Sequence, residues 1–206
     1  MKKILVLGAG RSATTLISYL ISNSEENNWF VTVGDFSVEF AEESVGNSKK
    51  AKAIFFNVTD ENQRREEIRN SDIVISMLPA RMHFLVAEDC VNLKKNLVTA
   101  SYVSDEVNQL NEKAKQSGVL LLNEIGLDPG IDHMSAMKLI DEIKEKGGEL
   151  TSFKSFCGGL VHPDYDNNPW NYKFTWNPRN VVLAGQGTAQ YIKKGKYKYI
   201  PYTKIF

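Results

Sequence analysis

Several groups of residues have the types and spacing to do chemistry. The run Gly8-Ala9-Gly10-Arg11-Ser12-Ala13 lies between a short apolar stretch and a helical repeat. There the first glycine permits a tight turn, the second lets a pyrophosphate approach the backbone, and the small residue at 13 lets helix and strand pack closely. The helix start would offer free N–H groups and a positive dipole end to phosphates. Asp35 ends the second apolar stretch. Its carboxylate can accept hydrogen bonds from ribose hydroxyls and would repel a 2′-phosphate, a preference for NAD over NADP. The same residue could instead cap the helix that follows. Arg11 pulls the other way, since its charge attracts phosphate.

The second region of interest is Asn123-Glu124-Ile125-Gly126-Leu127-Asp128-Pro129-Gly130-Ile131-Asp132-His133. It follows the last apolar stretch of the first half, where ligands of open α/β sheets bind. Asp-Pro-Gly is also a turn signal by itself, so turn chemistry and ligand contact both stay open. Ser101-Tyr102 follows another strand end and carries the same two readings. Cys157, before Gly158-Gly159, reads as a small buried hydrophobe more readily than as a nucleophile. His83, His133 and His162 are too scattered to suggest a metal site and read as surface or helix-terminal residues.

The elements that must position these groups are legible as two alternating periods. Residues 4–7, 30–33, 53–56, 73–77, 96–100 and 119–122 are short apolar runs, the pattern of strands buried on both faces. Between them Ala13, Leu16, Ile17, Leu20 and Ile21 mark one face of an amphipathic helix. Asp60 and Ser104 stand where N-caps are expected, and Gly118 where a helix should end. Strand, helix, strand without hairpin turns predicts right-handed crossovers and a doubly wound parallel sheet of the Rossmann type over residues 1–125. From residue 126 to 206 the rhythm changes. Asp132 is placed to cap a helix over residues 133–146, and residues 153–156 and 172–176 read as strands. This predicts a smaller, partial α+β domain.

Composition bounds the rest. The chain has 206 residues, with 25 Lys and Arg against 25 Asp and Glu. That balance gives no electrostatic reason to propose nucleic acid or an anionic membrane as partner. The apolar runs are far shorter than the roughly 20 residues that span a bilayer. Two cysteines, Cys90 and Cys157, make neither a metal spacing nor a disulfide framework. The expectation is a soluble cytoplasmic protein with no bound metal.

Three blocks together resemble one family. These are residues 123–133 quoted above, then Ser155-Phe156-Cys157-Gly158-Gly159-Leu160, then Asn168-Pro169-Trp170-Asn171-Tyr172-Lys173-Phe174-Thr175-Trp176. They are similar to the glutamate-forming saccharopine dehydrogenases, also called saccharopine reductases, as are Ile75-Ser76-Met77-Leu78-Pro79 and Thr99-Ala100-Ser101-Tyr102. The resemblance implies a pyridine-nucleotide oxidoreductase that interconverts saccharopine with glutamate and α-aminoadipate semialdehyde in lysine metabolism. It implies cofactor contacts from Gly8, Gly10, Arg11 and Ser12, the last three lining the pyrophosphate, from Asp35 to the adenosine ribose, from Leu78 and Ala100 as the cofactor wall, and from Leu127 near the nicotinamide. Ser101, Tyr102 and Asp128 match positions bordering saccharopine.

Among the matching positions Asp128, Tyr102 and Cys157 are the titratable groups available for acid–base work. Asp128 is assigned to the substrate amine, Tyr102 to positioning and Cys157 to packing. Arg179 is the candidate for a substrate carboxylate. Asp35 in place of a basic residue fits the NAD-using branch, with NADP possible. Family enzymes continue well beyond this length, so the resemblance implies an N-terminal fragment, and a homodimer is expected. The alternatives are a related amine dehydrogenase of the carboxynorspermidine or lysine 6-dehydrogenase type, or a nucleotide-binding module without turnover.

Overall fold

The structure is a computed structural model that describes residues 1–158, 160–173, 179 and 187–204. The chain divides into two compact units, Met1–Ser155 and Phe156–Phe206.

The first unit is built on a six-stranded parallel sheet. Its strands are β1 (Lys2–Leu7), β2 (Trp29–Asp35), β3 (Ala51–Phe55), β4 (Ile73–Ser76), β5 (Asn96–Thr99) and β6 (Leu121–Leu122), in the order β3-β2-β1-β4-β5-β6. This is the doubly wound order in which the chain reverses direction between β1 and β4, opening a crevice at their carboxyl ends. Alternation along β1 explains the two layers. Ile4 and Val6 face one core, with Ile17 and Leu20 of α1 (Thr14–Ser22), Val31, Val33, and Ala41 and Val45 of α2 (Val38–Val45). Leu5 and Leu7 face the other, with Phe56, Val74, Leu97, Ile68 of α3 (Glu61–Arg69) and Val86 and Cys90 of α4 (His83–Asn92). Each fully buried aliphatic side chain of this kind contributes about 1.5–3 kcal/mol.

Local sequence accounts for the helix ends. Asp60 accepts from Gln63 N–H and Ser104 from Val107 N–H, as N-caps do. The segment after Ser104 is divided at Leu110 into α5 (Asp105–Gln109) and α6 (Asn111–Ser117), which ends on Gly118 at φ 66°. Arg64 of α3 reaches Asp89 of α4 at 2.7 Å with both side chains buried, and also donates to the Val58 carbonyl.

The helix α7 (Ile131–Glu145) closes the first unit's regular structure. Its N-cap is Gly130, not Asp132, because Gly126 and Gly130 lie against each other and Ile131 N–H already bonds the Gly126 carbonyl. Asp132 sits inside the first turn and accepts from Gly130 N–H. Residues 153–156 form no strand. In the expected strand at 172–176, residues 172 and 173 are irregular and the others lie outside the described residues.

The second unit contains an antiparallel hairpin, β7 (Ala189–Lys193) with β8 (Lys196–Ile200). Its two-residue turn has positive φ at both Lys194 and Gly195, the geometry that matches strand twist.

Candidate functional site

At the carboxyl end of β1 the chain turns on Gly8, whose φ is +102°. A Cβ there would lie 2.9 Å from the Met77 carbonyl oxygen, so glycine is required by the protein's own packing. Ala13 is 1% exposed and packs under α1, which draws helix and strand together. Gly10 differs from both. A Cβ on it would meet no heavy atom within 4 Å, so no packing within the described residues demands glycine at this position. The loop surface at Gly10, with exposed Arg11 and Ser12 beside it, is a cradle open to a phosphate group. The start of α1 has no side-chain cap and no acidic residue in its first turn, which leaves its N–H groups available to an anion.

Asp35, at the end of β2, is tied to this loop. One carboxylate oxygen accepts from Ala9 N–H at 2.7 Å and the other from Ser37 N–H at 2.9 Å. Its first job is therefore to brace the glycine loop and the start of α2, where Ser37 is the N-cap. Leu78, after β4, packs partly buried against the core, and Ala100, after β5, lies against Gly126.

A second cluster occupies the ends of β4, β5 and β6. The Tyr102 hydroxyl donates to Asp128 at 3.1 Å. Burial and this carboxylate together push the Tyr102 phenol above its ordinary range, so it is a proton-bearing donor at neutral pH. Glu124, at φ 61°, accepts from Val103 N–H, and Glu124 N–H bonds the Ser101 carbonyl. The loop to α7 is pinned by Gly126 N–H to the Pro129 carbonyl and Asp132 N–H to the Leu127 carbonyl. A Cβ on Gly130 would fall on the Gly126 carbonyl, so this glycine too is fixed by close backbone approach. His133, exposed, is held at raised pKa by its hydrogen bond to Asp132. Leu127 and Asp128 are exposed at the tip.

The first unit thus brings together the predicted residues Ser101, Tyr102 and Asp128, on loops leaving neighbouring strands. Cys157 and Arg179 belong to the second unit, and both are exposed. The expectation of a buried Cys157 is corrected: it lies exposed in an irregular stretch, whereas Cys90 is the thiol in the core. His83 is the residue sequence reasoning missed. It is not a surface histidine but 4% exposed, with Nδ1 2.9 Å from Ser76 Oγ and Nε2 2.7 Å from Ser101 Oγ. The available signal was the pair of hydroxyl residues closing apolar strands at Ser76 and Thr99-Ala100-Ser101. Among the described residues no cluster of His, Cys, Asp and Glu could hold a metal ion, and no helix is long and apolar enough to cross a membrane.

Comparison with known proteins decides the lineage. Residues 4–122 match the family model of the saccharopine dehydrogenase NADP binding domain, and residues 126–206 that of the saccharopine dehydrogenase C-terminal domain. The chain belongs to the saccharopine dehydrogenase family. It is 40% identical to the NADP(+), L-glutamate-forming saccharopine dehydrogenase of Saccharomyces cerevisiae over 95% of this chain and 43% of that protein. It is 41% identical to the alpha-aminoadipic semialdehyde synthase of Arabidopsis thaliana over 93% of this chain and 20% of that one. A solved apo saccharopine dehydrogenase (L-Glu forming) from Saccharomyces cerevisiae superposes with a TM-score of 0.85 at 37% identity, over all of this chain and 45% of that one. The chain thus spans less than half the length of these relatives. The expectation of NAD as the preferred cofactor finds no support here: the family model over residues 4–122 and the Saccharomyces cerevisiae dehydrogenase both carry NADP in their names.

Proposed function

We propose that this chain binds NADP(H) and takes part in the oxidoreduction of saccharopine at its secondary amine, interconverting it with glutamate and α-aminoadipate semialdehyde. The reading rests on one observation: the open phosphate cradle at Gly10 and the Ser101, Tyr102 and Asp128 cluster lie on loops leaving the carboxyl ends of one Rossmann sheet. A nucleotide bound there would supply the hydride acceptor or donor. The residues present fit it. Gly8, Gly10, Arg11, Ser12 and the bare N-terminus of α1 would hold the pyrophosphate, and Leu78, Ala100 and Leu127 would wall the nicotinamide. The Asp35 charge is offset by two backbone N–H groups, which lowers its repulsion of a 2′-phosphate, and Arg11 is the cation placed to attract one.

On the substrate side, Tyr102 donates to Asp128 and leaves the remaining lone pairs of that carboxylate for a substrate ammonium. Tyr102 keeps its proton at neutral pH, so its part is to orient Asp128 and not to act as a base. Aligning two bound partners is itself a large share of what such an enzyme must do.

A fluorescence titration of the chain with NADPH and NADH, alongside saccharopine turnover followed by NADPH absorbance, tests the reading. NADPH should bind more tightly than NADH, and Arg11→Ala should weaken NADPH more than NADH. NADH binding more tightly than NADPH, unmoved by Arg11→Ala, would return the preference to Asp35, and equal affinity for both would overturn the role given to Arg11. A homodimer is proposed as well, supported by the exposure of Trp170, Tyr191 and Tyr197 in the second unit, and sedimentation checks it. Cytoplasmic residence, supported by the Cys90 thiol buried outside any disulfide, is tested by fractionation.

A further inference from the structure

We propose that His83 is a positioning residue that turns the Ser101 hydroxyl into a hydrogen-bond donor toward a carboxylate of the substrate, with Ser76 fixing the imidazole from behind. The proposal rests on the substrate reading given above. Ser76 closes β4 and is fully buried, and His83 opens α4 a few residues later. Ser76 pairs in register with Thr99 of the adjacent strand β5, which carries Ser101 just beyond its end. The imidazole therefore bridges the carboxyl ends of two neighbouring strands, with Ser76 Oγ at 2.9 Å on one side and Ser101 Oγ at 2.7 Å on the other.

The direction of this chain follows from burial. Desolvation lowers the His83 pKa to about 4, so the ring is neutral at physiological pH, with one N–H and one lone pair. The two serines must then play opposite parts. Among the described residues, Nδ1 is the partner of Ser76 Oγ, in a site with no exposure. If Nδ1 carried the proton, the Ser76 hydroxyl proton would become a buried donor without an acceptor, an arrangement proteins avoid. Ser76 therefore donates to Nδ1, and Nε2–H donates to Ser101 Oγ. Ser101 is only half-buried, and with one lone pair occupied its own proton is directed outward. A hydroxyl held in that way suits an anionic acceptor, and an amino-acid substrate supplies carboxylates.

Two measurements on the chain test this. Long-range proton–nitrogen NMR reads the tautomer: Nε2–H with bare Nδ1 is expected, and an Nδ1–H tautomer or an imidazolium at neutral pH overturns the proposal. Calorimetry with NADPH present reads binding. His83→Phe and Ser101→Ala should each weaken saccharopine by about tenfold, and the double variant by no more than either alone. NADPH affinity should stay within about twofold in all three, and His83→Gln, whose amide can reach toward Ser101, should recover part of the loss. If His83→Phe does not fold, Ser76→Ala, which frees the imidazole from behind, takes its place in the cycle with Ser101→Ala. Additive losses, or an equal fall in NADPH affinity, would make His83 a brace for the strand ends and overturn the proposal. A wild-type chain that takes up NADPH but no saccharopine overturns the substrate reading instead, and the NMR result still decides how Ser101 is held.

Discussion

Gly8 and Gly10 stand two residues apart in one loop, yet alanine at each should fail in opposite ways. At Gly8 the backbone has φ +102°, and the new Cβ would lie 2.9 Å from the Met77 carbonyl oxygen and 3.0 Å from its carbon. Both are backbone atoms held by the β1–β4 ladder, where Met77 N–H bonds the Leu7 carbonyl at 2.7 Å, so they cannot swing aside. An L-residue at positive φ costs about 1–2 kcal/mol, and the contact raises the total to about 2–4 kcal/mol. For a chain of this size the loss corresponds to a fall in Tm of about 5–15 °C, read from the far-ultraviolet circular dichroism of the sheet. At Gly10 the methyl meets no atom, so stability should hold or rise by about 0.4–1 kcal/mol. Its cost falls on the cofactor: the Kd for NADPH in a fluorescence titration should rise at least about tenfold, because the methyl occupies the approach of the pyrophosphate. Gly10→Ala binding NADPH with wild-type affinity, or Gly8→Ala melting with the wild type, would refute the division of labour drawn from these contacts.

Three further outcomes are expected. His83 has its folded pKa lowered from 6.5 to about 4, so as pH falls through that window the unfolded chain takes up a proton that the native one refuses; stability should drop by about 3 kcal/mol between those limits and His83→Gln should abolish that part of the slope in pH-dependent urea melts. Arg64→Ala should cost about 3 kcal/mol in the same melts, because it leaves the buried Asp89 carboxylate only its longer contact to Arg65 at 3.6 Å, and replacing both Arg64 and Asp89 by apolar residues should recover most of it. Asp128→Asn keeps an acceptor for Tyr102 while deleting the charge, so saccharopine affinity should fall by about tenfold with NADPH affinity unchanged, as calorimetry would show.

The parts of this molecule that were legible in sequence are those set by local rules. The six strand runs of the first 125 residues, the caps Asp60 and Ser104, the αL stop at Gly118 and the glycine loop depend on residues within a turn or so of one another, whereas the run at 153–156 forms no strand. What was not legible depends on which strands become neighbours. His83 does open a helix, as its helix-terminal reading has it, but nothing local says that it is buried where Ser76 and Ser101 converge on it; that follows only from the pairing of β4 with β5. Asp35 was placed correctly at a strand end, but its bond to Ala9 needs β1 and β2 side by side. Asp132 was read as a cap because it has the right side chain, whereas the helix begins earlier, where Gly130 meets Gly126.

The electrostatics of the cleft follow from the same long-range arrangement. A dinucleotide phosphate and an amino-acid carboxylate are anions, yet the loops at the strand ends carry Asp35, Glu124, Asp128 and Asp132. In the structure each of these carboxylates has a donor of its own: Ala9 and Ser37 N–H for Asp35, Val103 N–H for Glu124, the Tyr102 hydroxyl for Asp128, and Gly130 N–H with His133 for Asp132. A hydrogen bond to a carboxylate takes up part of its field and fixes its direction, so these groups serve first to shape the loops and repel anions less than free carboxylates would. What the first unit then offers to an anion is largely neutral: the bare N–H groups at the start of α1, the open backbone at Gly10, and a serine hydroxyl aimed by a histidine. Neutral donors preorganised in this way bind charge without the desolvation cost of a buried cation, and they discriminate by position. In such a site the placement of Ser101 matters as much as its chemistry, which is why a buried imidazole behind it is in the right place to govern recognition.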